Sequence, residues 1–312
     1  MLMNIVFMGT PDFAVPALNA LIKSNHSVSA VFTQPDKPKG RGHKLTPPPV
    51  KVLAEDNGIT VYQPVSLKKE ADEYIKIIKD INPDIIVVAA YGKILPREVL
   101  EIPRLGCVNI HGSLLPKYRG AAPIQWAVLN GETETGITTM LMNEGLDTGD
   151  ILLVQKTEIG ENEAASELFD RLSCMGADIL MKTIEALNSG EITPQKQKDS
   201  EATYAPMLSK DLSKLEFDNP VLNVHKKICG LSDWPCAVTS IDGKRLKVYR
   251  SEIVSETKPD AEPGEILDEK NFTVACIDGS IRFIEVQADG SKRMKSEDYL
   301  RGKPVSRGTI LK

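Results

Sequence analysis

Motifs that define several common enzyme classes are missing from this 312-residue sequence. The turn after the first apolar segment reads GTPDFA, with proline where a GxGxxG dinucleotide fingerprint needs glycine, which disfavours a nicotinamide-dependent dehydrogenase. The sequence has no GxxxxGK[ST] loop for nucleotide phosphates and no GxSxG motif for a serine nucleophile. It also lacks HExxH and CxxC patterns, so it indicates no metal site.

Long apolar runs and paired cysteines are lacking as well. No run approaches the roughly 20 apolar residues that a membrane helix needs. The apolar start of the chain has no basic leader, which argues against a secretory signal. The five cysteines are odd in number, as expected of unpaired thiols in a reducing compartment. We therefore expect a cytoplasmic protein without a membrane partner, and no obligate protein partner is evident.

Charge is distributed unevenly along the chain. From Met207 onward, 18 Lys and Arg stand against 17 Asp and Glu, a net charge of about +1; the preceding part has 20 against 26, about −6. The acidic first part argues against nucleic acid as its main ligand. The second part could meet a polyanion only if its basic groups cluster on one face.

Short apolar runs alternate with helical patterns over residues 1–190. The runs at 4–9, 26–34, 85–90 and 107–112 are typical of buried parallel strands, and helices are predicted over 68–80 and 163–188. Two further strands are predicted at 136–142 and 150–159. This alternation predicts an α/β domain with an open, mostly parallel, Rossmann-like sheet, whose ligands bind at the carboxyl ends of strands.

The pattern changes after residue 190. Residues 191–206 are mostly polar and are interpreted as a linker. Residues 207–312 contain short alternating strands joined by Asp-Gly turns and lack the helix-strand alternation of the first part. We therefore expect a smaller, antiparallel, OB-like β-barrel as the second domain.

Polar residues stand at one predicted strand end. Asn109 and His111 are two apart, so both side chains point to one face, where an amide and an imidazole could bind one developing oxyanion. Judged on spacing alone, a polar pair that merely closes the end of the strand is the favoured interpretation. Asp147 lies in a glycine-rich connection, where it could orient an imidazole or accept a proton; taken alone, its sequence context favours a simple turn former.

Longer motifs decide between these readings. The string CVNIHGSLLPKYRGAAPIQWA contains Asn109 and His111, and GLDTGDI follows with Asp147. GTPDFAVPAL opens the chain, and ATYAPMLSKDL begins the second domain. Together these motifs resemble the formyltransferases that use 10-formyltetrahydrofolate, and the resemblance runs along the whole chain.

The resemblance implies a catalytic trio of Asn109, His111 and Asp147. It implies that 10-formyltetrahydrofolate is the formyl donor and contacts the stretch Ser113, Leu114, Leu115 and Pro116. It further implies transfer to the α-amino group of initiator methionyl-tRNA, in support of translation initiation. The second domain is then expected to bind tRNA.

A basic insertion supports a tRNA acceptor. The segment PDKPKGRGHKLTPPPVK, residues 35–51, is rich in Gly, Pro, Lys and Arg, and could be only a solvated loop. The resemblance favours a loop that orders on tRNA and whose cations meet phosphates. Arg41 and Lys44 are the residues that we expect to approach the tRNA.

Three alternative functions would need different sequence features. A sugar-nucleotide or glycinamide-ribotide formyltransferase would share the Asn-x-His and SLLP features but would not need the insertion. A longer folate dehydrogenase contains such a module but needs a second enzyme, for which 312 residues leave no room. An RNA-binding module with a degenerate Rossmann-like domain would not need the intact trio.

Overall fold

The computed structural model describes residues 2–39, 44–67 and 69–312, and it divides the chain into two compact units. The described α-helices are α1 Val15–Lys23, α2 Pro49–Asp56, α3 Ala71–Ile81, α4 Arg97–Leu100, α5 Pro123–Leu129, α6 Ala165–Ser189, α7 Val221–Gly230 and α8 Ser296–Gly302. The described strands are β1 Asn4–Gly9, β2 Ser27–Phe32, β3 Lys37–Lys39, β4 Lys44–Thr46, β5 Val61–Tyr62, β6 Ile85–Ala89, β7 Cys107–His111, β8 Arg119–Gly120, β9 Glu134–Leu141, β10 Ile151–Glu158, β11 Tyr204–Ala205, β12 Ala237–Ile241, β13 Lys244–Ser255, β14 Ile266–Asp268, β15 Thr273–Ala275, β16 Ser280–Ala288 and β17 Met294–Lys295.

Unit 1 contains a mixed sheet. It comprises Met1–Ala121, Gly136–Thr157 and Phe169–Ala205. Within the described residues, the sheet order is β10-β9-β7-β6-β1-β2-β5. Strands β5, β2, β1, β6 and β7 run parallel to one another, and β9 runs antiparallel to β7. The carboxyl ends of the parallel strands therefore share one edge, where the predicted site residues of β7 lie.

Both faces of this sheet are buried, which explains the continuous apolar runs of β1 and β6. On one face, Val6 and Met8 of β1 pack with Ile86 and Val88 of β6 in a core that also contains Tyr91. Burying each such aliphatic side chain contributes roughly 1.5–3 kcal/mol. Short apolar segments of this kind are long enough to form strands and too short for ordinary helices.

Hydrogen bonds tie the loops together at the carboxyl edge. The backbone oxygen of Tyr91, just after β6, accepts from Thr10 Oγ1 at 3.1 Å and from Gln34 Nε2 at 3.0 Å. Thr10 follows β1 and Gln34 follows β2. The three connections therefore meet at Tyr91, which follows β6, the strand that pairs with β7.

Unit 2 is built on an antiparallel sheet. It comprises Ala122–Thr135, Glu158–Leu168 and Pro206–Lys312. Its described strands have the order β12-β13-β16-β15-β14, and β17 also pairs with β16. Asp242 and Gly243 join β12 to β13 with φ values of 49° and 73°, the left-handed conformations that a two-residue hairpin turn requires.

Helix α7 packs against the core of unit 2. Asp278 Oδ1 accepts a 2.7 Å hydrogen bond from the backbone nitrogen of Val221, which satisfies an amide at the helix start. His225 is fully buried, with Nδ1 2.9 Å from Ser251 Oγ and Nε2 3.2 Å from the Glu161 carbonyl oxygen. Burial lowers the pKa of His225 and thus favours the neutral ring. This histidine has a structural role in unit 2.

The predicted fold class, a Rossmann-like, mostly parallel sheet followed by a smaller antiparallel domain, is confirmed. The predicted domain limits at residues 190 and 206 stay a prediction. The structure adds that residues up to Ala205 belong to unit 1, where β11 pairs with β8. Within the described part of the chain, no helix is long and apolar enough to cross a membrane.

Candidate active site

Asn109 and His111 lie on the same face of β7, as their spacing predicts. Asn109 is opposite Val88 of β6 and Met140 of β9, and His111 is opposite Thr138. His111 is only 5% exposed, whereas Asn109 is half-buried. Among the residues that the structure describes, none forms a hydrogen bond with the Asn109 side-chain amide. That amide can therefore bind a ligand without first breaking a protein contact.

The imidazole of His111 is oriented by two oxygen atoms. Nε2 lies 2.9 Å from the carbonyl oxygen of Tyr118. Because a carbonyl oxygen only accepts, Nε2 carries a proton in this arrangement. Nδ1 lies 3.7 Å from Asp147 Oδ2, too far for a hydrogen bond but close enough for a charge interaction. Nδ1 is therefore the ring nitrogen that faces the carboxylate.

Asp147 is positioned by the backbone around it. It lies in the connection between β9 and β10 with φ 51°, a left-handed conformation that aspartate tolerates better than most residues. Its Oδ2 accepts a 2.8 Å hydrogen bond from the backbone nitrogen of Gly120. The carboxylate oxygen held by Gly120 is thus the same oxygen that faces His111 Nδ1.

The connection that carries Asp147 requires its own short side chains. Asn143 Oδ1 accepts from the backbone nitrogen of Gly145 at 3.0 Å and from Thr148 Oγ1 at 2.8 Å. A Cβ atom on Gly149 would lie 1.6 Å from the carbonyl oxygen of Leu141, so no other residue fits there without moving the chain. Steric clashes therefore explain why glycine occupies both of these positions in GLDTGD.

The predicted folate-contact stretch follows directly on β7. Ser113 is fully buried, and its hydroxyl donates to the carbonyl oxygen of Lys117 at 2.6 Å. The backbone nitrogen of Leu115 donates to Thr138 Oγ1 at 3.1 Å. Leu114 and Pro116 keep partly exposed side chains. These are the two side chains of the stretch best placed to contact a ligand.

The predicted tRNA residues lie in the insertion. Arg41 lies outside the described residues, and Lys44 is an exposed residue at the start of β4. Strands β3 and β4 pair antiparallel. At the base of the insertion, Lys51 Nζ donates to both oxygens of Asp36 at 3.0 Å and to Gln63 Oε1 at 2.9 Å. Hydrogen bonds from Gln63 and Lys51 lower the pKa of Asp36, so its charge is retained near neutral pH.

Two residues at the site were missed by the sequence reasoning. Arg119 is 2% exposed and donates to Gln197 Oε1 from Nε at 3.1 Å and from Nη2 at 2.8 Å. Gln197 Nε2 donates to the carbonyl oxygens of Asp147 at 2.8 Å and Gly149 at 2.7 Å. Arg119 stands within the recognised KYRGAAPI string, but Gln197 lies in a polar segment whose pattern gives no sign of a site.

A mixed α/β sheet with this trio at its carboxyl edge, followed by an antiparallel unit, is the architecture expected of a formyl transferase. A family model described as "Formyl transferase" matches residues 3–184, and one described as "Formyl transferase, C-terminal domain" matches residues 207–304. The chain belongs to this family.

Full-length relatives define its place within the family. The chain is 49% identical over 311 residues to the methionyl-tRNA formyltransferase of Caldanaerobacter subterraneus subsp. tengcongensis, covering 99% of this chain and 100% of that protein. It is 50% identical over 312 residues to the methionyl-tRNA formyltransferase of Clostridium novyi, with the same coverage. Within the formyl transferases, the chain therefore belongs to the methionyl-tRNA formyltransferases.

A solved structure supports the fold. A sugar 3N-formyl transferase, crystallised in the presence of dTDP and 5-N-formyl-THF, superposes with a TM-score of 0.70. It is 21% identical and the match covers 94% of this chain and 100% of that one. At this identity the likeness concerns the fold alone. Family membership, by contrast, decides for an enzyme over an RNA-binding module with a degenerate first domain.

Proposed function

We propose that the protein transfers the formyl group of 10-formyltetrahydrofolate to the α-amino group of initiator methionyl-tRNA. The assignment of the acceptor is supported by the full-length relatives named above. The observation that supports the chemistry is the placement of Asn109 and His111 on one face of β7, with Asp147 Oδ2 3.7 Å from His111 Nδ1. The roles of these three residues are part of the proposal.

The acceptor supplies its own nucleophile. A free α-amino group titrates near 8, and esterification of the carboxyl group lowers that value, so neutral amine is present near pH 7. This amine attacks the formyl carbon directly and no covalent enzyme intermediate forms. A C–N bond to the amino acid is made and the bond to folate N10 is broken. The attacking nitrogen loses one proton and N10 gains one.

The site would stabilise the tetrahedral intermediate of this reaction. Asn109 Nδ2 and His111 Nδ1 are the donors for its oxyanion, since His111 Nε2 is already bonded to the Tyr118 carbonyl. Asp147 Oδ2 lies 3.7 Å from Nδ1 and places a carboxylate beside this ring nitrogen. Preorganised donors of this type stabilise charge more strongly in a site from which water is excluded.

Folate binding would use the stretch after β7. The partly exposed Leu114 and Pro116 offer apolar contacts to an aromatic donor molecule. Ser113 already donates its hydroxyl hydrogen to Lys117 O, so we assign it the role of shaping the stretch. This refines the expectation that all four residues of the stretch contact the folate.

Recognition of tRNA would use basic groups in each unit, considered separately. In unit 1, the insertion offers Lys44 and, outside the described residues, Arg41. In unit 2, a pocket of about 410 Å³ is lined by four basic residues, Lys210, Lys214, Arg245 and Lys312, and by one acidic residue, Asp211. The second domain is nearly neutral overall, so it can bind a polyanion only where its basic residues cluster. We propose that both sets of cations contact tRNA phosphates.

Replacing Arg41 and Lys44 by alanine is expected to raise the KM for tRNA and leave the KM for folate unchanged. Each lost phosphate contact should flatten the slope of log(kcat/KM) against log[salt] by about 0.7–0.9. The measurement is formylation kinetics between low and physiological salt. Lys76→Ala, an exposed lysine on α3, is the matched control and should keep the normal slope. An unchanged KM for tRNA in the double variant would contradict the proposed contact.

The acceptor assignment is tested directly with the purified protein. With 10-formyltetrahydrofolate as donor, formylation is expected for initiator methionyl-tRNA and not for free methionine or an amino-sugar nucleotide. The relatives' names and the basic insertion are the reasons for this expectation. Efficient formylation of the amino-sugar nucleotide, with no formylation of the tRNA, would contradict the proposal and favour a sugar-nucleotide formyltransferase.

A further inference from the structure

The polar segment before residue 206 lies against the loop that follows the folate-contact stretch. Strand β11 pairs in parallel with β8, and the backbone nitrogen of Arg119 donates to the Thr203 carbonyl oxygen at 2.9 Å. Thr203 Oγ1 also accepts from the backbone nitrogen of Tyr118 at 2.9 Å. Tyr118 is the residue whose carbonyl oxygen contacts His111. The segment thus supports the backbone that orients the imidazole.

Gln197 links this segment to the connection that carries Asp147. Its amide nitrogen donates to the carbonyl oxygens of Asp147 and Gly149, so both of its hydrogens are used. Its amide oxygen accepts two hydrogen bonds from Arg119. The side chain of Gln197 therefore joins two separate parts of the site.

Arg119 holds the glutamine amide in one orientation. Its guanidinium is almost fully buried and only donates, so it selects the oxygen end of the Gln197 amide. Asp199 balances its charge, with Oδ1 2.8 Å from Arg119 Nη2, although the Asp199 side chain is 85% exposed. With the oxygen end fixed, the nitrogen end must point toward the carbonyls of residues 147 and 149.

We propose that Gln197, oriented by Arg119, is a positioning residue that sets the distance between the Asp147 carboxylate and His111. The inference rests on the proposed function, since it requires a role for Asp147 in the reaction. The side-chain amide of Gln197 suits both groups of partners, because its oxygen accepts from Arg119 and its nitrogen donates to the carbonyl oxygens of Asp147 and Gly149. A misplacement of about 1 Å in a catalytic group can cost about 10² in rate.

Two substitutions at this position separate positioning from stability. Gln197→Ala removes the hydrogen bonds to Arg119, Asp147 and Gly149 and leaves the buried Arg119 without this partner. Gln197→Glu keeps an acceptor for Arg119 but has no hydrogen to donate to the carbonyls of Asp147 and Gly149. We expect both variants to lose between about 10-fold and 10² in kcat, with each KM changing by less than about threefold. Gln197→Glu should unfold at a higher temperature than Gln197→Ala, because it keeps a partner for the buried Arg119.

Gln195→Ala is the matched control. Gln195 lies two residues away in the same segment, and its side chain is exposed while its backbone pairs with Ile151. This variant should keep wild-type kcat. Histidine NMR gives a second readout, because the four histidines are few enough to assign with a His111→Asn sample. The His111 ring signals should shift in both Gln197 variants and stay unchanged in Gln195→Ala.

Asp147→Asn, measured alongside, distinguishes the possible failures. If Asp147→Asn is slow and Gln197→Glu keeps kcat within about threefold of wild type, the positioning role is wrong and the proposed function stands. Unshifted His111 signals in both Gln197 variants would also overturn it. If Asp147→Asn is as fast as wild type, the role of Asp147 is wrong and this inference is lost with it.

Discussion

Asn109→Ala and His111→Ala are each expected to lower kcat by about 10²–10³, with folate binding largely kept. Each change removes one of two donors that converge on the proposed oxyanion. The donors act on charge that exists only in the intermediate, so the loss appears in kcat rather than in the affinity for the ground-state donor. Steady-state formylation kinetics and folate titration of the same samples measure the two quantities separately.

Matched controls for these variants lie elsewhere in unit 1. Asn25→Ala removes an exposed asparagine, and His26→Ala removes a histidine whose Nδ1 accepts a hydrogen bond from the backbone nitrogen of Met3. Both controls should keep normal kcat. Since Asn109 and His111 would serve one oxygen, the double variant should lose less than the product of the single losses. Near-normal turnover in either single variant would remove that residue from the mechanism.

Asp147→Asn is expected to lower kcat by about 10²–10⁴, the range associated with loss of a catalytic proton-transfer or charge partner. The substitution removes the charge that faces His111 Nδ1 and keeps the size of the side chain. An asparagine oxygen can still accept from the Gly120 nitrogen, and asparagine tolerates the left-handed φ of 51° at this position. The fold should therefore be retained while the chemistry is lost.

Asp150→Asn is the control for this prediction, because Asp150 lies in the same connection and no role is proposed for its carboxylate. It should turn over normally and unfold at the wild-type temperature. Asp147→Ala should in addition be less stable than Asp147→Asn, since alanine loses the hydrogen bond from Gly120 and suits the left-handed backbone less well. Equal stability of the two variants would contradict this account of how Asp147 is held.

Much of unit 1 could be predicted from apolar spacing. Strand β1 occupies the predicted residues 4–9, and α6 at Ala165–Ser189 lies within two residues of its prediction at 163–188. Both segments bury long apolar surfaces, so their periodicity is strong. The direction of β9 was not predictable, because alternation along a strand is the same whether the strand runs parallel or antiparallel to its neighbour.

The contacts at the base of the basic insertion could not be predicted from apolar periodicity. The described residues pair β3 with β4, and Asp36, Lys51 and Gln63 form a polar network at the base. The sequence showed a Gly- and Pro-rich loop with positive charge, which is a compositional property. Which lysine would bind an aspartate and which would face solvent depends on distances that composition does not contain.

The sequence by itself determined the kind of chemistry and the face on which it occurs. The two-residue spacing of Asn109 and His111 places both on one side of β7, because side chains alternate along a strand. The long motif around them identified the family. Only the tertiary structure brought Asp147 to His111 Nδ1 and Gln197 to the Asp147 backbone, because these contacts join segments far apart in the chain. Local patterns record which face a side chain occupies, whereas such contacts depend on how separate segments pack together.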